Sequence, residues 1–263
     1  MSNLDRKIHA RIDEWRHRPI EGDHPYVFLD GIVMKRSWAG EVRNVSLPVA
    51  VGVTTDGDRE ILGVVEGPGE DKSGWPMFLR HLADRGLPGV RSIVSDACGL
   101  VESAAEILPD AQWQRCVVHF YRNVFSLVPA GRVRDVARML KAVHAQESRK
   151  AAAEKTAAVI AELRAMKPTR AAEPLDESGH ETMTCYGFPD SHWIELRTNN
   201  PLERIMREIR RRTRVVGAFP DGKSCLTLAA ARPRHIAGTQ WSTRKYINMT
   251  PLFADQTRGA VVA

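Results

Sequence analysis

Three successive runs of strand-forming residues before position 66 constrain this chain most. Residues 26–34, 42–54 and 60–65 are rich in Val, Ile and Leu and poor in helix formers. Asp30-Gly31 interrupts the first run, and Asp56-Gly57-Asp58 supplies a hairpin turn between the second and third. Connections this short cannot carry the long crossover that parallel neighbours need, so the three runs predict an antiparallel meander.

After the meander the periodicity alternates. Residues 73–84 read as a helix with Trp75, Phe78, Leu79 and Leu82 inward. Residues 91–96 read as a strand ending in Asp96, 100–108 as a helix and 113–118 as a strand. The order β-β-β-α-β-α-β predicts an α/β fold, a mixed sheet with helices packed on it. An amphipathic helix over 3–19, with Leu4, Ile8, Ile12 and Trp15 on one side, precedes the sheet. From Phe120 to about Arg170 strand signals stop and Ala, Arg, Lys and Glu dominate, which predicts an all-helical insertion. Residues 168–174, 176–179 and 215–221 read as loops. Residues 224–232 resume a helix that Pro233 should break or kink.

Between the last two loops lies Thr198-Asn199-Asn200-Pro201-Leu202-Glu203-Arg204, running into Arg207, Arg210, Arg211, Arg212 and Arg214. Asn200 suits a helix cap and Pro201 the first helical position, where its missing N–H would be unpaired anyway. At about 100° per residue, Leu202, Ile205, Met206, Ile209 and Thr213 share one face, which must be buried. Glu203 falls at the edge of that face, half-buried, beside Arg207, Arg210 and Arg214. One reading makes it a capping-box glutamate reaching back to the cap N–H. The other makes it a metal ligand held against a phosphate backbone.

Charge bears on that choice. The chain's 263 residues carry a net +6, but residues 199–263 hold 12 Lys or Arg against 4 Asp or Glu, and residues 1–198 hold 26 against 28. The excess positive charge sits in the C-terminal quarter, the footprint of a polyanion partner such as nucleic acid. No apolar run approaches the ~20 residues of a bilayer span, and the charged N-terminus lacks the apolar core of a signal peptide. Cys98, Cys116, Cys185 and Cys225 form no CxxC and fit a reducing cytoplasm.

Asp30 follows Val27-Phe28-Leu29 and Asp96 follows Ile93-Val94-Ser95, so both acids belong to strands. Carboxylates at strand ends of an open α/β sheet face a common crevice. Two such acids and one from a nearby helix make an oxygen-ligand site for divalent cations. A pair of Mg²⁺ ions about 4 Å apart can activate a water and stabilise a leaving oxygen in phosphodiester cleavage. Each acid also has a plain reading, Asp30-Gly31 as a turn and Asp96 as a helix N-cap.

The chain resembles the Mutator-type transposases of bacterial insertion sequences, DDE transposases with a ribonuclease-H-like catalytic fold. The matching stretches are Pro-Tyr-Val-Phe-Leu-Asp-Gly at 25–31, Val-Ser-Asp at 94–96, Trp-Gln-Arg-Cys-Val-Val-His-Phe at 113–120 and Asn-Asn-Pro-Leu-Glu-Arg at 199–204, the last extended by 210–220. The resemblance covers residues 10–250 and implies catalytic, metal-binding acids at Asp30, Asp96 and Glu203, with a helical insertion between the second and third. It further implies Mg²⁺-dependent cleavage of double-stranded DNA at the element's terminal repeats, with Mn²⁺ as a substitute. A 3′-hydroxyl then attacks target DNA. Arg207, Arg210, Arg211 and Arg214 would hold the DNA backbone in a homo-oligomeric synaptic complex, in a cytoplasmic, nucleoid-associated protein.

Domain boundaries follow from the same reading. Residues 1–20 correspond to the last part of an N-terminal helical region, 21–123 and 196–250 to the catalytic domain, 124–195 to the insertion and 251–263 to a tail. Family members are longer, and their N-terminal helix-turn-helix region reads the inverted repeats. The 95–100 segment is slightly shorter than the family pattern, and Pro233 replaces an apolar helical residue. These departures leave a second expectation, a truncated DNA-binding remnant without catalysis.

Two further motifs compete for a role. Cys116-x-x-His119 matches a family signature beside the catalytic core; a thiol and an imidazole at this spacing either ligate zinc or serve structurally near the site. Residues 217–224 satisfy G-x-x-x-x-G-K-S, the phosphate-loop pattern. Arginines stand before that loop where a buried strand is required, which argues against a nucleotide site.

Overall fold

The computed structural model describes residues 3–38, 41–67, 74–96, 98–166, 170–216, 219 and 222–259. Helix α1 (Asn3–His17) leads into strands β1 (Tyr26–Trp38), β2 (Glu41–Val53) and β3 (Arg59–Val64). Helix α2 (Gly74–Asp84), β4 (Ser92–Ser95), α3 (Val101–Ile107) and β5 (Gln112–Arg115) follow. The remainder is helical: α4 (Val117–Phe125), α5 (Val133–His144), α6 (Arg149–Ala165), α7 (Ala172–Ser178), α8 (Trp193–Leu196), α9 (Asn200–Thr213), α10 (Gly222–Ala237), α11 (Gln240–Thr243) and α12 (Thr250–Gly259). The fold is the mixed α/β arrangement that the sequence predicts.

Five strands form one sheet in the order β3-β2-β1-β4-β5. β1 pairs antiparallel with β2, and β2 with β3, so the meander forms as expected. The second half of the sheet pairs differently. Arg91 and Ser92 N–H both donate to Pro25 O (2.9 and 3.0 Å), and Gln112 N–H donates to Arg91 O (2.8 Å). The starts of β1, β4 and β5 therefore lie side by side, which makes these strands parallel.

Chain contacts divide the protein into two compact units. The first comprises Met1–Ile93, Ala97–Gln112 and Asn199–Thr250; the second comprises Val94–Asp96, Trp113–Thr198 and Pro251–Ala263. In the first unit, Tyr26, Val27, Phe28 and Leu29 are all buried, the pattern of a central strand covered on both faces. α9 packs on β1 and β2, α10 on α9 and β3, and α2 on β2. α1 packs on α10 and β3, with Ile12 buried and Arg16 Nε donating to Val64 O at 2.7 Å. The β2–β3 turn needs Gly57, whose φ is +88° and whose missing Cβ leaves room for Ile247 O.

The second unit has its own core. Phe120, Val124, Val136, Leu140, Val143, Val159, Leu163 and Leu175 from α4–α7 form one buried cluster. Each buried large apolar side chain contributes about 1.5–3 kcal/mol, so this cluster is a main term favouring the packing of the four helices.

Several local expectations need correction. β1 runs through Asp30-Gly31 without a break, so that pair is neither a turn nor an interruption. Val117 and Val118 open α4 instead of extending β5, because Cys116 turns the chain at the helix start. Residues 172–178 are helical; Pro174 falls in the first turn of α7, where a missing N–H is tolerated. α10 continues through Pro233 to Ala237, so the proline does not end it. In the phosphate-loop segment, residues 217, 218, 220 and 221 lie outside the described residues. α9 precedes that segment where a nucleotide site needs a strand, and the Phe219 backbone bridges to Lys35 and Ser37 of β1.

Candidate active site

β1 carries Asp30 opposite Val49 of β2. The carboxylate is partly exposed where the four preceding residues are buried, and its Oδ1 accepts the Gly31 N–H at 2.8 Å. The strand thus delivers one acid to the edge of an otherwise apolar surface.

α9 delivers another to the same unit. Pro201, Leu202, Ile205, Met206, Ile209 and Thr213 are buried, which is the face the 3.6-residue period predicts. The start of the helix differs from expectation. Asn200 is the first helical residue and Asn199 the cap, but the Asn199 side chain caps nothing. It is 3% exposed, and its Nδ2 donates to Leu29 O at 3.0 Å. The Asn199 carbonyl accepts the N–H groups of Leu202 and Glu203 instead. One buried amide therefore fastens the helix bearing Glu203 to the strand bearing Asp30. Sequence reasoning missed Asn199; its one signal was the doubled Asn before Pro201, where a cap needs only one.

Glu203 is exposed, not half-buried, because Leu202, Ile205 and Met206 take the packed positions around it. Among the described residues its carboxylate makes no hydrogen bond or ion pair, so the capping-box bond does not form. Arg207, Arg210, Arg211 and Arg214 are also exposed. Arg211 pairs with Glu208 at 3.1 Å, worth little at that exposure. None of the four pairs with Glu203 among the described residues, which leaves the guanidinium groups of this face open to solvent.

The second unit holds Asp96 and the Cys116 signature. Asp96 follows β4, and Leu100, not Asp96, holds the cap position of α3. Its Oδ1 is buried without a hydrogen-bond partner among the described residues. A buried carboxylate oxygen in that state has acceptor capacity left for a cation. Cys116 N–H donates to Ser95 O (2.8 Å), Trp113 Nε1–H to Ser95 Oγ (2.8 Å) and Val117 N–H to Arg197 O (2.8 Å). The 113–117 stretch thereby fixes the backbone next to Asp96 and the backbone leading into Thr198. The Cys116 thiol is buried, and His119 is partly exposed. Among the described residues no three His, Cys, Asp or Glu side chains form a group that could hold a metal ion.

Below that stretch, buried His144 has one ring nitrogen 2.7 Å from the Tyr121 hydroxyl and the other 2.8 Å from Thr182 Oγ1. Burial lowers its pKa from 6.5 to about 4, against the Leu140 carbonyl, which raises it. Folding therefore favours neutral His144. That stabilisation is complete above pH 6.5 and is lost as pH falls towards about 4, a loss approaching 3 kcal/mol. Thermal midpoints measured from pH 7 to pH 4 will drop for the parent and drop less for a His144→Gln variant. Equal slopes would remove His144 as the titrating group.

No helix among the described residues is long and apolar enough to cross a membrane. The family model described as "Transposase, Mutator family" matches residues 1–240. The chain is 36% identical over 249 residues to the transposase for insertion sequence element IS406 of Burkholderia multivorans, covering 92% of this chain and 63% of that protein. It is 36% identical over 234 residues to the transposase for IS1081 of Mycobacterium tuberculosis, covering 88% and 56%. The transposase for IS256 in transposon Tn4001 of Staphylococcus aureus is 31% identical over 253 residues, covering 94% and 64%. The chain thus spans about three fifths of the length of these curated relatives. With its motif stretches hydrogen-bonded in two pairs, 25–31 to 199–204 and 94–96 to 113–120, and a family match over nearly its whole length, the chain belongs to the Mutator family of transposases.

Proposed function

We propose that this chain carries the catalytic core of a transposase that cuts double-stranded DNA at insertion-sequence ends and joins the freed 3′-hydroxyl to target DNA. The observation that carries the reading is the Asn199–Leu29 hydrogen bond, which ties the Glu203 helix to the Asp30 strand. A buried fastening of this kind fixes the start of the Glu203 helix against the Asp30 strand, which supports a reading that needs positioned groups.

In this reading Asp30, Asp96 and Glu203 are the ligands of divalent cations. All three are hard oxygen ligands, Asp96 Oδ1 is buried without a donor and Glu203 is unpaired among the described residues, but the three do not already form a metal-holding group there. When bound, Mg²⁺ or Mn²⁺ supplies activation of the attacking hydroxyl and stabilisation of the leaving oxygen. Arg207, Arg210, Arg211 and Arg214 bind phosphates beside the cut, a contact that weakens with salt. A homo-oligomer holding two element ends together, close to the nucleoid, completes the reading.

The test is a nicking assay on duplex DNA bearing the terminal repeats that flank this coding sequence, with Mg²⁺ or Mn²⁺. The parent is expected to cut, and Asp30→Asn to bind without cutting. Asn keeps a carbonyl oxygen for the Gly31 N–H and removes only the charge. Binding without cutting by the parent itself would favour a non-catalytic DNA-binding role.

A further inference from the structure

α9, α10 and α11 enclose an open cavity of about 450 Å³ within the first unit, lined by Arg204, Arg232, His235, Gln240 and Trp241. Among the described residues no acidic side chain lines it. Arg204 and His235 are exposed, and Arg204 makes no ion pair among the described residues. Arg232 Nε lies 3.2 Å from Glu208 Oε2, out of line for a hydrogen bond, and Glu208 is shared with Arg211. One carboxylate thus serves two guanidinium groups.

More positive charge stands behind the wall. The Arg59 guanidinium stacks on the Trp241 ring at 4.6 Å and on Tyr246 at 5.2 Å, and donates to Trp241 O at 2.9 Å. That stack keeps Trp241 buried and fixes one side of the cavity. Burial, together with the positive charges of Arg244 and Arg204, holds Arg59 below the usual arginine pKa, although Tyr246 and Asp58 oppose this. A cleft walled by one sign of charge concentrates counter-ions, and arginine forks match phosphate oxygens.

We propose that this cavity binds a backbone phosphodiester of DNA through Arg204 and Arg232, at a position separate from the α9 arginines assigned above. The proposal rests on the DNA-cutting reading of the chain. Arg204 follows Glu203 in α9 and lines the cavity, so a strand passing Glu203 has the cavity's arginines next along its path. The donors are side chains on an open rim, which suits a phosphate carried on a polymer better than an enclosed small anion.

The test measures binding of a fluorescein-labelled duplex by anisotropy across a salt series. Relative to the parent, R204Q/R232Q is expected to bind about tenfold more weakly near 0.1 M salt. Its plot of log affinity against log salt is expected to be shallower by about one. R134Q/R138Q removes the same charge from exposed positions on α5 and should leave the slope unchanged. Arg204→Gln alone, at an exposed position, repeats the test without disturbing Glu208. In a parallel arm, inorganic phosphate is titrated at constant ionic strength. An unchanged slope in R204Q/R232Q overturns the proposal, and so does an equal change in the α5 control. Loss of phosphate binding with an unchanged DNA slope assigns the cavity to free anions and overturns it as well. A parent that binds no duplex defeats this proposal and the DNA-cutting reading together. A parent that binds and nicks while the variant keeps its full slope defeats the cavity alone.

Discussion

A Glu203→Gln variant will melt with the parent and fail to cut DNA. Glu203 is exposed and holds nothing in place among the described residues, so its structural value is confined to a favourable charge in the first turn of α9. That term is worth about 0.3–1 kcal/mol, a shift of a few degrees at most. A lost metal ligand removes several kcal/mol of transition-state stabilisation, about a thousandfold in rate. The substitution also separates the two readings of this residue. Glutamine serves a capping box as well as glutamate does. A capping role therefore predicts an active variant, and a ligand role predicts an inactive one with normal DNA affinity. The paired measurements are a melting curve and single-turnover cleavage with Mg²⁺. Full cleavage by E203Q would sink the assignment of Glu203 whatever the melting curve shows.

The buried face of α9 was legible because helix periodicity is local: five apolar or near-apolar positions at the right spacing needed no partner to be recognised. The β1–β3 meander was legible for the same reason, through β-branched runs and an Asp-Gly turn whose glycine adopts φ +88°. What escaped is non-local. Glu203 lies at the margin of the apolar face, and only the packing of α9 on β1 and β2 decides that it faces solvent. The bond from Asn199 to Leu29 spans 170 residues, and no local pattern encodes it. Val117-Val118 misled because two β-branched residues after a strand read as more strand, whereas Cys116 turns the chain into α4. The Cys-x-x-His signature left zinc ligation and a structural role open, and its stretch joins Ser95 and Arg197 through backbone N–H groups. The motif stretches mark where distant segments are hydrogen-bonded, and the acids at 30, 96 and 203 stand within a few residues of those bonds.

Asn199→Asp puts that fastening to the sharpest test, because local and tertiary physics give opposite signs. Aspartate is as good a helix cap as asparagine, and its charge favours the helix N-terminus by up to about 1 kcal/mol. A helix considered alone would therefore be unharmed or stabilised. In the folded chain the side chain is 3% exposed and its amide donates to Leu29 O. Aspartate replaces that donor with an anionic oxygen facing a carbonyl oxygen, a buried uncompensated charge that costs about 3–5 kcal/mol. The tertiary term is larger, so net destabilisation of about 2–4 kcal/mol is expected, a fall of roughly 4–16 °C in the thermal midpoint. Cleavage should fall at least tenfold even below the midpoint, because α9 loses its tie to β1 while Asp30 and Glu203 remain intact. Asn199→Ala, which removes the donor without adding charge, should lose about 1–3 kcal/mol and rank between parent and aspartate. A reversed order, with aspartate more stable than alanine, would mean that Asn199 matters as a cap and that the strand–helix fastening does not organise the site.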